Sequence, residues 1–290
     1  MEFRTIFAGI GGGSASAGAI DLACRLAGRF GSHVEGFHMR LDLRTQVLAA
    51  AGLAPLASER IEHARLDAAA ETAARARASF DAAVLRYGLP LIEEPPPPGG
   101  DAAPLARPSA KWREESGYGP ATLAARARLF DLVLLGRSGR VVEEPHSNAI
   151  EEALLATGRP VLLAPAKPPT AIGERVALGW NDTPECARAL AAALPFLRRA
   201  RTVAVLRLGD GAPDAVARHL AWYGINATAH EVWPVKGVGA GELLLASARE
   251  EGADLLVMGG YGTAPWRERL FGGATSEVVG TSLLPVLLAH

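Results

Sequence analysis

Residues Gly259–Ser276 read GGYGTAPWRERLFGGATS. A continuous apolar run, DLLVMGG, leads into this stretch, and a helix-like pattern, SEVVGTSL, leads out of it. A strand that ends in glycine and a helix that begins at small residues bring backbone N–H groups to one place. Such groups, aided by the helix dipole, bind anions. Glycine is needed there because a side chain blocks close approach or forbids positive φ. Gly259, Gly262 and Gly272 fall in the spacing G-x2-G-x9-G, and Gly273, Ala274 and Thr275 open the helix. Thr275 offers a hydroxyl, and Arg267 and Arg269 on the intervening loop suit phosphate oxygens. The competing reading is a pair of turns that only join a strand to a helix.

Working outward, the chain repeats itself. DLVLLGRSG (Asp131 to Gly139) aligns without a gap on DLLVMGGYG (Asp254 to Gly262). RTIFAGI (from Arg4) resembles RVALGWN (from Arg175), and RPVLLAPA (from Arg159) resembles LPVLLAH (from Leu284). Three pairs in one order point to a duplicated unit. The Pro-containing stretch AKPPTAIGE, 166–174, is the expected linker. Units of 1–167 and 168–290 follow.

Each half alternates short apolar runs with helical patterns. In the second, VALGW, TVAVLRL, ATAHEVW, DLLVMGG and PVLLAH read as strands. Thr183, Pro184 and Glu185 read as an N-cap, a first-turn proline and an early acid. In the first, TIFAGI, HVEGFHM, AKWREE, DLVLLG and PVLLAP are the strands, with a long helix over about 58–87. Continuous rather than alternating apolar strands imply burial on both faces. Strand–helix alternation implies parallel sheets with right-handed crossovers. The predicted fold class is α/β: two tandem Rossmann-like domains, each a five-stranded parallel sheet with helices on both faces.

The first half differs in two places. A Pro-rich stretch, 89–109, has no counterpart and reads as an extended surface insertion. Its glycine motif is degenerate: Gly136 and Gly139 keep the first spacing, but Ala149 stands at the distal position, and Glu143 and Glu144 repel phosphate. GIGGGS, after the first strand, does not meet G-x-G-x-x-G and reads as a tight turn with a serine N-cap.

The 290 residues carry 30 basic and 31 acidic side chains, which argues against a nucleic-acid footprint or a polybasic membrane patch. No apolar run is long enough to span a bilayer, and the N-terminus lacks the pattern of a signal peptide. Cys24 and Cys186, both in helical patterns, read as buried small hydrophobes in a reducing compartment, and a cytoplasmic location is expected. The seven histidines are scattered. No H-E-x-x-H, G-x-S-x-G or Walker A sequence occurs. Asp182 and Glu185 stand where they could hold Mg²⁺ through water, although a helix N-terminus attracts acids for structural reasons alone. Trp266 reads as a packing residue.

The G-x2-G-x9-G spacing followed by a small residue, placed after the fourth strand, resembles the nucleotide-binding signature of the universal stress protein family. WNDTPECARALAAALPFL resembles that family's first strand and helix, and WREESGYGPATLAARARLFDLVLLGR extends the likeness to the first half. The whole chain is similar to the tandem form. The resemblance implies an α/β sandwich around a five-stranded parallel sheet, in a family where some members bind ATP and others do not. It places Gly259, Gly262 and Gly272 on the motif glycines, Met258 and Tyr261 beside the nucleotide, and Asn181 near base and ribose. Gly273 falls where nucleotide-binding members usually carry Ser or Thr, and Thr275 supplies a hydroxyl two positions on. It also implies that the halves pack as a pseudo-dimer through their last strands.

Two functions follow as expectations. One is a stress-response protein whose C-terminal half binds ATP, with Mg²⁺, as a sensor or regulatory ligand. The other is a scaffold that binds no nucleotide and presents surfaces to protein partners, with further homodimerisation open. A nucleotide-dependent transferase or ligase lacks a visible second substrate site.

Overall fold

The first strand, β1 (Thr5–Gly9), is followed by α1 (Ser14–Phe30), β2 (His33–Leu41), α2 (Pro55–Arg86), β3 (Ser109–Gly117), α3 (Gly119–Ala127), β4 (Leu132–Gly136), α4 (Ser147–Ala156) and β5 (Val161–Ala164). The second half gives β6 (Arg175–Trp180), α5 (Pro184–Leu197), β7 (Thr202–Leu208), α6 (Pro213–Ala221), β8 (Ala227–Val232), α7 (Ala240–Glu250), β9 (Leu255–Gly259), α8 (Ala274–Thr281) and β10 (Val286–Ala289). The computed structural model describes residues 2–41, 55–95, 107–117, 119–137, 147–209, 213–260 and 273–290.

The strands form one sheet in the order β3-β2-β1-β4-β5-β10-β9-β6-β7-β8. Within each half the pairing is parallel and the order is the same. The halves meet where β10 pairs antiparallel with β5, Val286 opposite Leu163 and Leu288 opposite Val161. The two predicted five-stranded sheets are therefore halves of one ten-stranded sheet, joined through the last strands.

Alternation along each strand splits the core in two. Ile6, Ala8, Leu132 and Leu134 face α1 and α2, while Leu178 and Val257 face α5 and α6. On the opposite face Phe7, Val133, Leu135, Leu256 and Met258 meet apolar residues of α3, α4, α7 and α8. Each fully buried Leu, Ile or Phe contributes about 1.5–3 kcal/mol. The first core crosses between the halves: Phe196 of α5 packs on Phe3 and Phe30, with ring centroids 5.5 and 5.1 Å away. The linker is pinned as well. Arg25 of α1 donates to the carbonyls of Pro169 (2.6 Å) and Thr170 (2.7 Å), and Arg29 to that of Gly173 (3.0 Å).

The repeated aspartate has a physical cause. Asp131, ahead of β4, accepts the backbone N–H groups of Arg4 (2.8 Å) and Thr5 (3.0 Å) at the start of β1. Asp254, ahead of β9, does the same for Glu174 (3.1 Å) and Arg175 (3.2 Å) at the start of β6. Each carboxylate satisfies donors at the amino edge of its half-sheet. The beginning of the Pro-rich stretch lies against β3: Pro90 accepts from Ala110 N–H, and Ile92 N–H donates to Ala110, both at 2.9 Å. That edge is thereby partly covered.

Candidate functional site

In an open parallel sheet, ligands settle outside the carboxyl ends of the strands where the strand order reverses. Here those points are β1/β4 in the first half and β6/β9 in the second. The two turns that leave β1 and β6 correspond position for position. Gly12 and Asp182 both have left-handed backbone, φ 78° and 57°. Gly13 and Thr183 both cap the following helix. The first-half cap is thus Gly13, without a side-chain hydrogen bond, and not the expected serine. Ser16 instead accepts the N–H of Gly11 at 2.9 Å, because the turn leaves that donor facing the helix.

The second-half turn is held by side chains. Thr183 accepts the N–H of Cys186 at 3.4 Å, as the predicted cap, with Pro184 in the first turn. Asn181 lies exposed just after β6, and its side-chain Oδ1 accepts from the hydroxyl of Thr183 (3.0 Å) and the thiol of Cys186 (2.9 Å). Asp182 accepts the indole N–H of Trp180 at 2.5 Å and forms an ion pair with Arg207 of β7. The Trp180 bond first, and Arg207 with it, hold the Asp182 carboxyl below the usual carboxylate range. Glu185 is buried. Burial opposes its ionisation, but its own backbone N–H, Thr183, Arg188 and His290 outweigh burial and keep it below its usual value. One carboxylate oxygen of Glu185 meets Arg188 at 2.8 Å, and the other has no partner among the described residues. The two acids nearest the turn are thus each paired with an arginine. Among the described residues no group of three His, Cys, Asp or Glu side chains is placed to hold a metal.

At the end of β9, a Cβ on Gly259 would stand 2.8 Å from the backbone nitrogen of Cys186 and 2.8 Å from Cβ of Glu185. The first motif glycine therefore lets α5 approach the strand. Gly136 has the same task toward α1, where a Cβ would stand 2.2 Å from the carbonyl oxygen of Ala15. Met258 is buried in the second core cluster. Gly273 caps α8 without a side-chain hydrogen bond, and among the described residues nothing lies within 4 Å of where its Cβ would be. Thr275 is buried in the first turn of the same helix. Tyr261, Gly262 and Gly272, with Trp266, Arg267 and Arg269, lie outside the described residues, as do Gly139, Glu143 and Glu144. The structure thus brings Asn181 and Gly259 to the β6/β9 switch point through α5, places Met258 in the strand beneath, and places Gly273 and Thr275 at the start of α8.

The first-half switch point is closed. The position of a Cβ on Gly12 is 2.7 Å from the carbonyl oxygen of Thr72, so α2 lies directly on that turn. Arg137, which follows β4, is buried and donates at 2.8 Å to the carbonyl of Val279, near the C-terminus of α8 in the other half. Burial lowers the affinity of its guanidinium for the proton. Sequence reading did not find this contact, because nothing local in DLVLLGRSG specifies a partner 142 residues away. A cleft of about 250 Å³, bordered by Arg175, Thr202, Asn226 and Ala253, lies at the opposite, amino-terminal edge of the second half-sheet.

No protein-family model matches the chain, and no curated protein matches it. Among solved structures the chain is similar to a universal stress protein from Archaeoglobus fulgidus DSM 4304. That match has a TM-score of 0.72 at 12% identity and covers 100% of this chain and 99% of that one. A protein of unknown function from Pseudomonas aeruginosa PAO1 is also similar, with a TM-score of 0.56 at 16% identity, covering 99% of this chain and 92% of that one. At such identities the likeness is one of fold. The chain has the fold of a full-length universal stress protein, both halves and their joint included.

Proposed function

We propose that this protein is a tandem universal stress protein that binds one adenine nucleotide, ATP with Mg²⁺, as a regulatory ligand at the β6/β9 switch point. The units 1–167 and 168–290 belong to the same reading, with the C-terminal unit as the binding one. The observation that carries it is the difference between the two switch points: α2 sits on the turn after β1 in the first, while in the second the helix after β9 begins at Gly273 without a side-chain cap and with no described atom within 4 Å of a Cβ position there. The backbone N–H groups of Gly273 and of the first turn of α8 would face phosphate, with the loop glycines Gly262 and Gly272 allowing close approach. Asn181 and Tyr261 would flank base and ribose, with Met258 packed beneath, and Thr275 would add a hydroxyl.

A second reading is a scaffold without nucleotide, and one observation favours it. The identity of Gly259 and of Gly136 is fully accounted for by the approach of α5 and α1. Calorimetric titration with Mg-ATP, beside a Gly262→Val variant, separates the two. Saturable heat that the variant abolishes supports nucleotide binding. Absence of heat at millimolar nucleotide leaves the scaffold.

A further inference from the structure

We infer that the cleft at the amino-terminal edge of the second half-sheet is a binding site for a small zwitterion, an α-amino acid with a short aliphatic side chain. The site is independent of the nucleotide reading, because it lies at the other end of β6, roughly 17–20 Å from the switch point. Duplication gives the reason to regard it as built. Asp131 and Asp254 tie the starts of β1 and β6, so the residues just before them, Phe130 and Ala253, are equivalent. The registers of β1 on β2 and of β6 on β7 make Phe7 equivalent to Ala177 and Glu35 to Ala204. In the first half these positions carry bulk. Phe130 packs on Phe7 with ring centroids 5.4 Å apart, and Glu35 accepts two hydrogen bonds from Arg126, each of 2.8 Å. In the second half all three are alanines, and Ala204 and Ala253 line the cleft.

With Val176 and Val203, the two alanines make a buried apolar floor. The volume of about 250 Å³ equals the share of about eight waters, room for a molecule of about eight or nine heavy atoms. The rim carries both signs of charge. Arg175 is anchored through Nε, which donates to the carbonyl of Gly252 at 2.7 Å, and its two terminal nitrogens have no partner among the described residues. Arg201 also borders the cleft, and its guanidinium meets Glu174 at 3.4 Å with both side chains exposed. Glu251, next to the Gly252 anchor, has His230 as its ion-pair partner at 3.5 Å, and that ring is charged only when protonated. Thr228 adds a hydroxyl, set by the carbonyl of Val203 at 3.4 Å and by Nε2 of His230 at 3.0 Å. A ligand carboxylate thus meets the Arg175 fork, a ligand ammonium meets Glu251, and an aliphatic side chain rests on the floor. A phosphate or a dicarboxylate would meet Glu251 with like charge, and an uncharged ligand would leave Arg175 unmatched.

The test is calorimetric titration of the full-length chain with L-leucine and L-valine, beside isocaproate, which lacks the ammonium, and isoamylamine, which lacks the carboxylate. At least one of the amino acids should bind saturably with a Kd of roughly 1 mM or below. Each analogue should bind about tenfold more weakly or worse. Ala253→Phe restores the first-half residue and should abolish binding. Arg175→Gln and Glu251→Gln, both at the rim, should each weaken it by about tenfold. These two keep the test valid should Ala253→Phe fail to fold. No saturable heat with either amino acid at tens of millimolar overturns the inference. Analogues that bind as tightly as the amino acid overturn the zwitterion assignment, and binding that all three variants leave unchanged overturns its placement in this cleft.

Discussion

Replacing Gly136 by alanine is a direct probe of how the helices meet the sheet. The added Cβ would stand 2.2 Å from the carbonyl oxygen of Ala15, 2.6 Å from its carbon and 3.2 Å from the nitrogen of Ser16. All three are backbone atoms at the start of α1, so no side chain can rotate away. Reaching an ordinary contact near 3.5 Å requires α1 to retreat by roughly 1 Å. Overpacking of this kind costs typically 1–3 kcal/mol, and the rigid neighbours put Gly136→Ala near about 3 kcal/mol. Gly259→Ala meets α5 at 2.8 Å and should cost less, about 1–2 kcal/mol. Gly28, inside α1, has no described atom within 4 Å of a Cβ position, so Gly28→Ala should stabilise by about 0.5–1 kcal/mol through helix propensity. Urea unfolding followed by circular dichroism measures all three. The order Gly28→Ala above wild type, then Gly259→Ala, then Gly136→Ala, is expected. A Gly136→Ala protein as stable as wild type would refute the close approach of α1 to β4 and, with it, the packing role assigned to the motif glycines.

Other outcomes follow from single contacts. Burial first, and the neighbouring Asp21 next, push the Cys24 thiol up to about 12, and Cys186 is also buried. A thiol reagent at pH 8 should label neither cysteine in the folded protein and both after unfolding. Arg137→Ala removes a charged donor from the C-terminal end of α8 and should cost about 1–2 kcal/mol. Hydrogen exchange should quicken in 274–281, and unchanged exchange there would argue against the contact. The Asp182 carboxyl is held low, so its small contribution is present above its unfolded value of 3.8 and is lost as pH falls through the lower folded value. The unfolding midpoints of wild type and Asp182→Asn should therefore differ at pH 6 and converge in acid, and a difference that grows in acid would contradict that sign.

Much of the fold is legible in the sequence because duplication writes it twice. DLVLLG and DLLVMG align because each aspartate ties the start of a partner strand and each terminal glycine admits a helix. Those are local requirements with local residue types. The joint was legible only as a resemblance, since nothing in PVLLAPA or PVLLAH reveals that their pairing makes one antiparallel step in a ten-stranded sheet. The serine cap was misread because GIGGGSAS offers two serines and several glycines, and only the path of the backbone decides that Gly13 caps while Ser16 turns back to Gly11. At the candidate site, Gly259 was marked by the motif spacing and Asn181 only by the family resemblance. The Arg207–Asp182 pair was not, because TVAVLRL reads as a buried strand and its arginine finds a carboxylate on a different element.

Nucleotide binding at the second-half switch point alone is the central proposal, and binding stoichiometry tests it most directly. Calorimetric titration of the full-length protein with Mg-ATP should saturate at one nucleotide per chain, and Gly262→Val should abolish that binding. Two nucleotides per chain would contradict the closure of the first-half switch point by α2, and none at millimolar ATP would contradict the account of the second.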